Sequence, residues 1–173
     1  ILTGVLALGG IAVVIWWVPA ETLEHAQAPK GSLREVLTHV PSLRNNLGVF
    51  VLHGVMLAMW VAVPSLLVQA GLNKSLHWQL YLPVVLLSLL FLGVVFAMER
   101  RGHLKKVFLL SIGLIAVVQV GLLVQSLGTP SLGVLAVLLL VFFCGFNALE
   151  ATLPSLASLI APQAMRGAAL GVY

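Results

Sequence analysis

Long apolar runs dominate this chain and restrict what it can become. Five of them, at about 1–20, 47–72, 78–98, 107–128 and 132–161, are separated by short polar stretches, and a sixth starts near 167. A helix needs ~20 apolar residues to cross the hydrocarbon core of a bilayer, and each of the five is long enough. Strands are not expected, because period-2 alternation is missing. The fold class is therefore all-α, a polytopic membrane protein. Composition agrees. Only 8% of residues are charged, whereas a soluble domain carries about a quarter. The first run lacks the basic flank of a signal peptide. The chain opens inside hydrophobic sequence at Ile1 and its sixth run is short, so we read it as part of a longer polytopic protein. Its single cysteine, Cys144, excludes an intrachain disulfide.

The basic residues set an orientation. Lys30, Arg34 and Arg44 fall between the first two runs, Arg100, Arg101, Lys105 and Lys106 after the third, and Arg166 before the sixth. Lys74 alone lies on the alternate side. The positive-inside rule puts the larger set in the cytoplasm, making 21–46, 99–106 and 162–166 cytoplasmic. The formal charge of +4 comes from these short clusters, so no nucleic-acid partner is expected. Within 21–46, GSLREVLTHV has Ser32 and Glu35 at capping-box spacing. Leu33, Val36, Leu37 and Val40 recur on one face, and Pro41 should stop the helix. The reading is a short helix over about 32–40 on the inner membrane surface, or a spacer that happens to be helical.

Polar groups inside the apolar runs are the functional candidates. FNALEATLPS places Glu150 in the fifth run, one turn after Asn147 and one turn before Pro154. An ionised carboxylate facing lipid costs roughly 3 kcal/mol on insertion scales, so it should face protein or a water-filled cavity. At about 100° per residue, Asn147, Glu150, Ala151, Pro154 and Ser158 share a face. Glu150 is either a proton or substrate group, or a hydrogen-bonded lock between helices. His53 is a second ionisable group within a run, and histidine is the side chain type that can change charge near neutral pH. Met56, Trp60 and Pro64 share its face. Counting ~1.5 Å per residue, His53 lies ~9 Å from the cytoplasmic end of its run and Glu150 ~15 Å from that of the fifth. The two reach neighbouring depths and are expected to be buried. A single hydrogen bond to a neighbouring helix is the plainer role for His53, and packing the plainer role for Trp60. Pro64 and Pro154 are candidate kinks.

The turn MERRGHLKK, 98–106, presents an acid, a base, one residue, a glycine and then further bases. This order resembles motif A of the major facilitator superfamily. Glu99, Arg100 and Gly102 match, Lys105 and Lys106 supply displaced trailing charges, and Val95 stands where the family has a glycine. PAETLE (19–24), LHGVMLAMWVAVP (52–64), HWQLYLP (77–83), FNALEATLPSLAS and RGAALGVY (166–173) extend the likeness across nearly the whole chain. They are similar to the drug:proton antiporter group of that superfamily. The resemblance implies a twelve-helix fold with alternating access. Residues 1–20 would be helix 6, ending the N-terminal bundle, and 21–46 the inter-bundle linker. Residues 47–173 would be helices 7–10 and the start of helix 11 of the C-terminal bundle. It also implies that His53 and Glu150 line the central cavity. Asn147 and Trp60 would be further proton or substrate contacts, and Glu99, Arg100, Arg101, Gly102 and Lys105 a cytoplasmic gating turn.

The expected activity is secondary active transport, proton-coupled efflux of small molecules from the inner membrane. The implied partners are a small-molecule substrate, protons, the lipid bilayer and the N-terminal bundle. Two alternatives remain open: a structural membrane subunit, and a uniporter or symporter of another substrate class. A channel would want a pore ring or filter, and none is visible. An enzyme would want a His–Asp or metal-ligand cluster, and the histidines are scattered, so neither metal nor cofactor is expected.

Overall fold

The computed structural model describes residues 2–18 and 33–173. The chain divides into two compact units, 1–30 and 31–173. In the first, α1 is the apolar helix Leu2–Trp17 of 16 residues. At ~1.5 Å per residue it is ~24 Å long, below the ~30 Å of a hydrocarbon core. The first run, expected to span, is thus a shorter apolar helix within the described residues. PAETLE, Lys30 and Ser32 lie outside the described residues, as does much of the expected linker.

The second unit contains α2 (Leu33–Thr38), α3 (Val40–Gln69), α4 (His77–Arg100), α5 (Leu104–Leu127), α6 (Leu132–Ile160) and α7 (Arg166–Val172). Single 3₁₀ turns at Lys74–Leu76 and Gln163–Met165 precede α4 and α7. No strand occurs among the described residues. Four helices are long and apolar enough to cross a membrane: α3, α4 with its leading turn, α5 and α6. Pro64, Pro83 and Pro154 all sit inside continuous helices.

Glycine stops two of the spans. At the end of α3, Leu72 N donates to Leu67 O and Gly71 N to Val68 O. At the end of α4, His103 N donates to Met98 O and Gly102 N to Glu99 O. Both are Schellman closures, which need a left-handed residue after the helix. Gly71 has φ 89° and Gly102 φ 78°, a conformation that side chains disfavour.

The start of α3 differs from the expectation. Pro41 does not end a helix over 32–40. Instead α2 ends at Thr38, and Pro41 occupies the first turn of α3. There its missing N–H has no intrahelical acceptor to lose. His39 is the extended N-cap residue, and its Nδ1 lies 2.8 Å from Ser42 Oγ. The polar residues 40–46 thus belong to α3. In α2, Val36 is buried against Ala161 and Ala169, while Leu37 stays exposed.

α6 is the hub of this unit. Leu135, Leu139, Phe142 and Leu153 are almost wholly buried and join side chains of α3, α4 and α5 in one core. The packing against α5 is close. A Cβ at Gly145 would meet Ser111 O at 3.1 Å and Ile115 Cγ1 at 3.2 Å. A Cβ at Gly121 would meet Leu138 Cδ2 at 2.7 Å. Small residues permit such approach between membrane helices, where dispersion replaces the hydrophobic drive. The outer faces of α4 and α5, with Leu86, Leu90, Leu109 and Val117 exposed, suit lipid.

Candidate functional site

Two candidate side chains from different helices meet. His53 Nε2 of α3 lies 3.7 Å from Glu150 Oε2 of α6. The helix frame explains how. Because α3 begins at Val40, His53 is ~20 Å along it rather than ~9 Å, and Glu150 is ~15 Å from the far end of α6. The residues are also less enclosed than expected. Their side chains are 51% and 44% exposed, because both project from the open flank between α3 and α6. Oε2 of Glu150 is nevertheless buried, with no hydrogen-bond partner among the described residues.

The ring nitrogens of His53 have distinct duties. Nδ1 is 3.0 Å from the carbonyl oxygen of Val49, one turn earlier. A carbonyl only accepts, so Nδ1 carries a hydrogen and donates it. Nε2 is left facing Glu150. At 3.7 Å the pair is beyond good hydrogen-bonding distance. It attracts as an ion pair when His53 is protonated and Glu150 ionised. The Phe146 ring meets the imidazole edge-on at 6.0 Å and 73°, and Phe142 stacks on Phe146 at 5.8 Å. The histidine thus rests on an aromatic ladder of α6.

The other candidates lie elsewhere. Asn147 turns to α4, where its Nδ2 donates to Ser88 Oγ at 2.9 Å. Ser88 is fully buried and donates in turn to Val85 O at 2.7 Å. The carboxamide expected beside Glu150 therefore ties α6 to α4. Trp60 lies about two turns beyond His53 on α3 and packs against Tyr81 of α4, ring centroids 5.2 Å apart. With Met56, Phe142 and Phe143 these rings line a small apolar cavity between α3, α4 and α6. In the turn 98–106, Gly102 serves the helix stop. Among the described residues no ion pair joins Glu99, Arg100, Arg101 or Lys105.

Sequence reasoning did not single out Ser88, Phe146, Tyr81 or Tyr173 as site residues. Tyr173 ends α7, packs against the central core and lies within electrostatic reach of Glu150. A lone serine within the apolar run of α4 was the available signal for Ser88. Tyr173 carried none.

Over 98% of its length the chain is 34% identical to the inner membrane transport protein YajR of Escherichia coli (strain K12). The chain belongs to the major facilitator superfamily. It spans 38% of the length of that relative. No family model matches the chain, and no solved structure matches it. With four helices able to cross a bilayer, this facilitator chain is an integral membrane protein with an all-helical fold. Its His53–Glu150 pair joins the first and fourth of those helices, α3 and α6.

Proposed function

We propose that the chain is part of a proton-coupled transporter of small molecules, and that His53 and Glu150 share the coupling proton. The observation that carries this is the 3.7 Å approach of Nε2 to Oε2 across two helices. With one proton on the pair, His53 and Glu150 are either both charged or both neutral, and they attract in either form. A second proton leaves a cationic imidazole beside a neutral carboxyl, and the ion pair is lost. Protonation therefore weakens the link between α3 and α6, and loss of a proton restores it. A cavity that is wet in one state and closed in another changes which form is favoured, because desolvation opposes charge and a nearby cation favours the carboxylate. Efflux follows if the proton enters as the substrate leaves. The apolar wall of Trp60, Tyr81, Met56 and Phe142 suits a hydrophobic substrate, and a cationic one could balance Glu150. The relative's name, a transport protein of the inner membrane, supports transport. Proton coupling, antiport and an N-terminal bundle facing α3 and α6 are our extension.

In full-length protein reconstituted into proteoliposomes, a substrate screen under an imposed pH gradient identifies the cargo. Glu150→Gln should then insert normally and lose gradient-driven transport at least about tenfold while keeping substrate exchange. Unchanged pH dependence would make the carboxylate structural. Orientation has its own test. Cysteines placed at Lys74 and Thr129 should react with an impermeant thiol reagent from outside, and one at Gly102 should not. The reverse pattern inverts the assignment.

A further inference from the structure

His53 stands on an open flank, where its ring has to be held in place. Its side chain is 51% exposed, and the second side-chain torsion of a histidine has a broad, nearly two-fold minimum. A half-turn about that torsion exchanges ring nitrogens for carbons. The bond from Nδ1 to the carbonyl oxygen of Val49, 3.0 Å long, selects one of the two settings. Its acceptor lies on α3 itself, however, and travels with the histidine. Phe146 of α6 supplies a contact from another helix. Its ring meets the imidazole at 73° with centroids 6.0 Å apart, within the range of an edge-to-face aromatic pair. Phe146 is itself buried, at 8% exposure. Phe142, fully buried, stacks on it at 5.8 Å and 25°, and both rings belong to the central core. A ring fixed by packing thus stands against one that is half in the open.

We propose that Phe146 is a positioning residue for the His53–Glu150 pair: it sets the plane of the imidazole so that Nε2 faces the carboxylate, and it does so only while α3 is docked on α6. The proposal rests on the reading of that pair as the proton-binding group. Phe146 precedes Glu150 by four residues, so the two lie on one face of α6, a turn apart. One helix therefore supplies the aromatic platform and the carboxylate at a fixed spacing. No change within α6 is needed to form the pair, and α3 has only to arrive with its histidine in the right setting. A functional group held in this way by packed neighbours is preorganised. Separation of α3 from α6 removes platform and partner together. The imidazole then keeps only the bond to Val49 on its own helix, and water in the opened cleft competes for it. Which ring nitrogen carries the hydrogen depends on such bonds, so the tautomer is fixed when the helices are docked and free when they part. The ionisable group facing the imidazole from α6 is Glu150. A leucine at 146 would fill the core but would offer no planar face.

The test uses full-length protein in lipid nanodiscs with isotope-labelled histidine rings. Ring-nitrogen NMR at alkaline pH, where the imidazole is neutral, separates the two tautomers. The His53 signal is assigned by its loss in His53→Gln. The wild-type protein should show one tautomer, with the hydrogen on Nδ1. Phe146→Leu should lose that single signal and show both tautomers. Leu135→Ala opens a cavity at a fully buried site of the same helix, ~16 Å away. It should lower the melting temperature at least as much and leave the His53 signal unchanged. A single Nδ1–H signal in Phe146→Leu overturns the proposal. So does a mixture in the wild-type protein, or one in Leu135→Ala, which would make the change a general result of softened packing. Should Phe146→Leu fail to insert, Phe146→Met, which fills the volume with a flexible chain, decides by the same signal. Coupling is read separately. If Glu150→Gln keeps gradient-driven transport with an unchanged pH dependence, the reading of the pair as the proton-binding group fails, whatever the tautomer of His53. If Glu150→Gln loses that transport, Phe146→Leu should lower it about threefold to tenfold. A tautomer mixture with wild-type transport would then overturn the positioning role and leave the pair standing.

Discussion

The two flanks of α6 are built on opposite terms. Toward α5 the helices approach until a single Cβ at Gly145 would press on a backbone oxygen at 3.1 Å. Toward α3 the contact at Glu150 is a 3.7 Å approach between half-exposed side chains. The first contact is dispersion between close surfaces, which pH does not alter. The second adds to the apolar packing of Met59, Val63 and Leu67 in the shared core a polar pair whose attraction depends on its protonation state. A bundle of this kind can loosen α3 against α6 while α5 and α6 stay together.

The sharpest way to break this contrast is to overfill the tight flank. Gly145→Leu adds several carbons where one does not fit, and overpacking of this kind costs roughly 1–3 kcal/mol or more. We expect the largest loss of thermal stability here, measured on purified protein in detergent. Glu150→Gln, on the open flank, should shift the melting temperature far less. If the two variants are equally stable, the flanks do not differ as described.

A smaller effect is expected at the third contact of α6, toward α4. Asn147→Leu removes the donor that reaches Ser88 and crowds a buried hydroxyl, at a cost of about 1–2 kcal/mol. Ser88→Ala should cost a similar amount, because it takes away the acceptor of Asn147 and the serine's own bond to Val85. Both are read as shifts in denaturation midpoint. A neutral Asn147→Leu would mean that the 2.9 Å bond adds nothing to holding α4.

These contacts also show which parts of the molecule were legible in the sequence. Run length was enough to foresee α3 to α6, because span length is set by the bilayer and not by tertiary detail. Depth counting set His53 and Glu150 at neighbouring levels, although it misplaced the start of α3. Pro41 reads equally as a helix stop or a first-turn residue, and only the backbone at His39 decides. Asn147 and Glu150 are about 60° apart around α6. That is enough to send one side chain to α4 and the other to α3, and no local pattern records which neighbour stands where. Tyr173 joins the site through the packing of α7, a tertiary fact without a sequence signal.

A still smaller effect should follow from Gly102→Ala. The left-handed backbone at φ 78° disfavours a side chain by about 1–2 kcal/mol, and nothing lies within 4 Å to clash. The measured loss should fall within that range. A larger loss would mean that the turn 98–106 is held by more than its helix stop.

The charges of that turn test the comparison at its weakest point. Glu150 has an ionisable partner on another helix, whereas Glu99, Arg100 and Arg101 have no ion pair among the described residues. We propose that these charges tune the balance between inward- and outward-open states by pairing in one of them only. In the conformation seen, neutralising both arginines (Arg100→Gln with Arg101→Gln) should change stability by less than about 0.5 kcal/mol, the scale of exposed charges. A charge pair that forms in only one state shifts the balance by its own strength, about 0.2–1 kcal/mol per exposed pair. Two such pairs correspond to a change in transport rate of about twofold to thirtyfold. Transport at equal expression, together with the melting temperature, measures both. A destabilised protein would show that the arginines are paired in this state after all. An unaltered rate in correctly inserted protein would reduce them to markers of orientation.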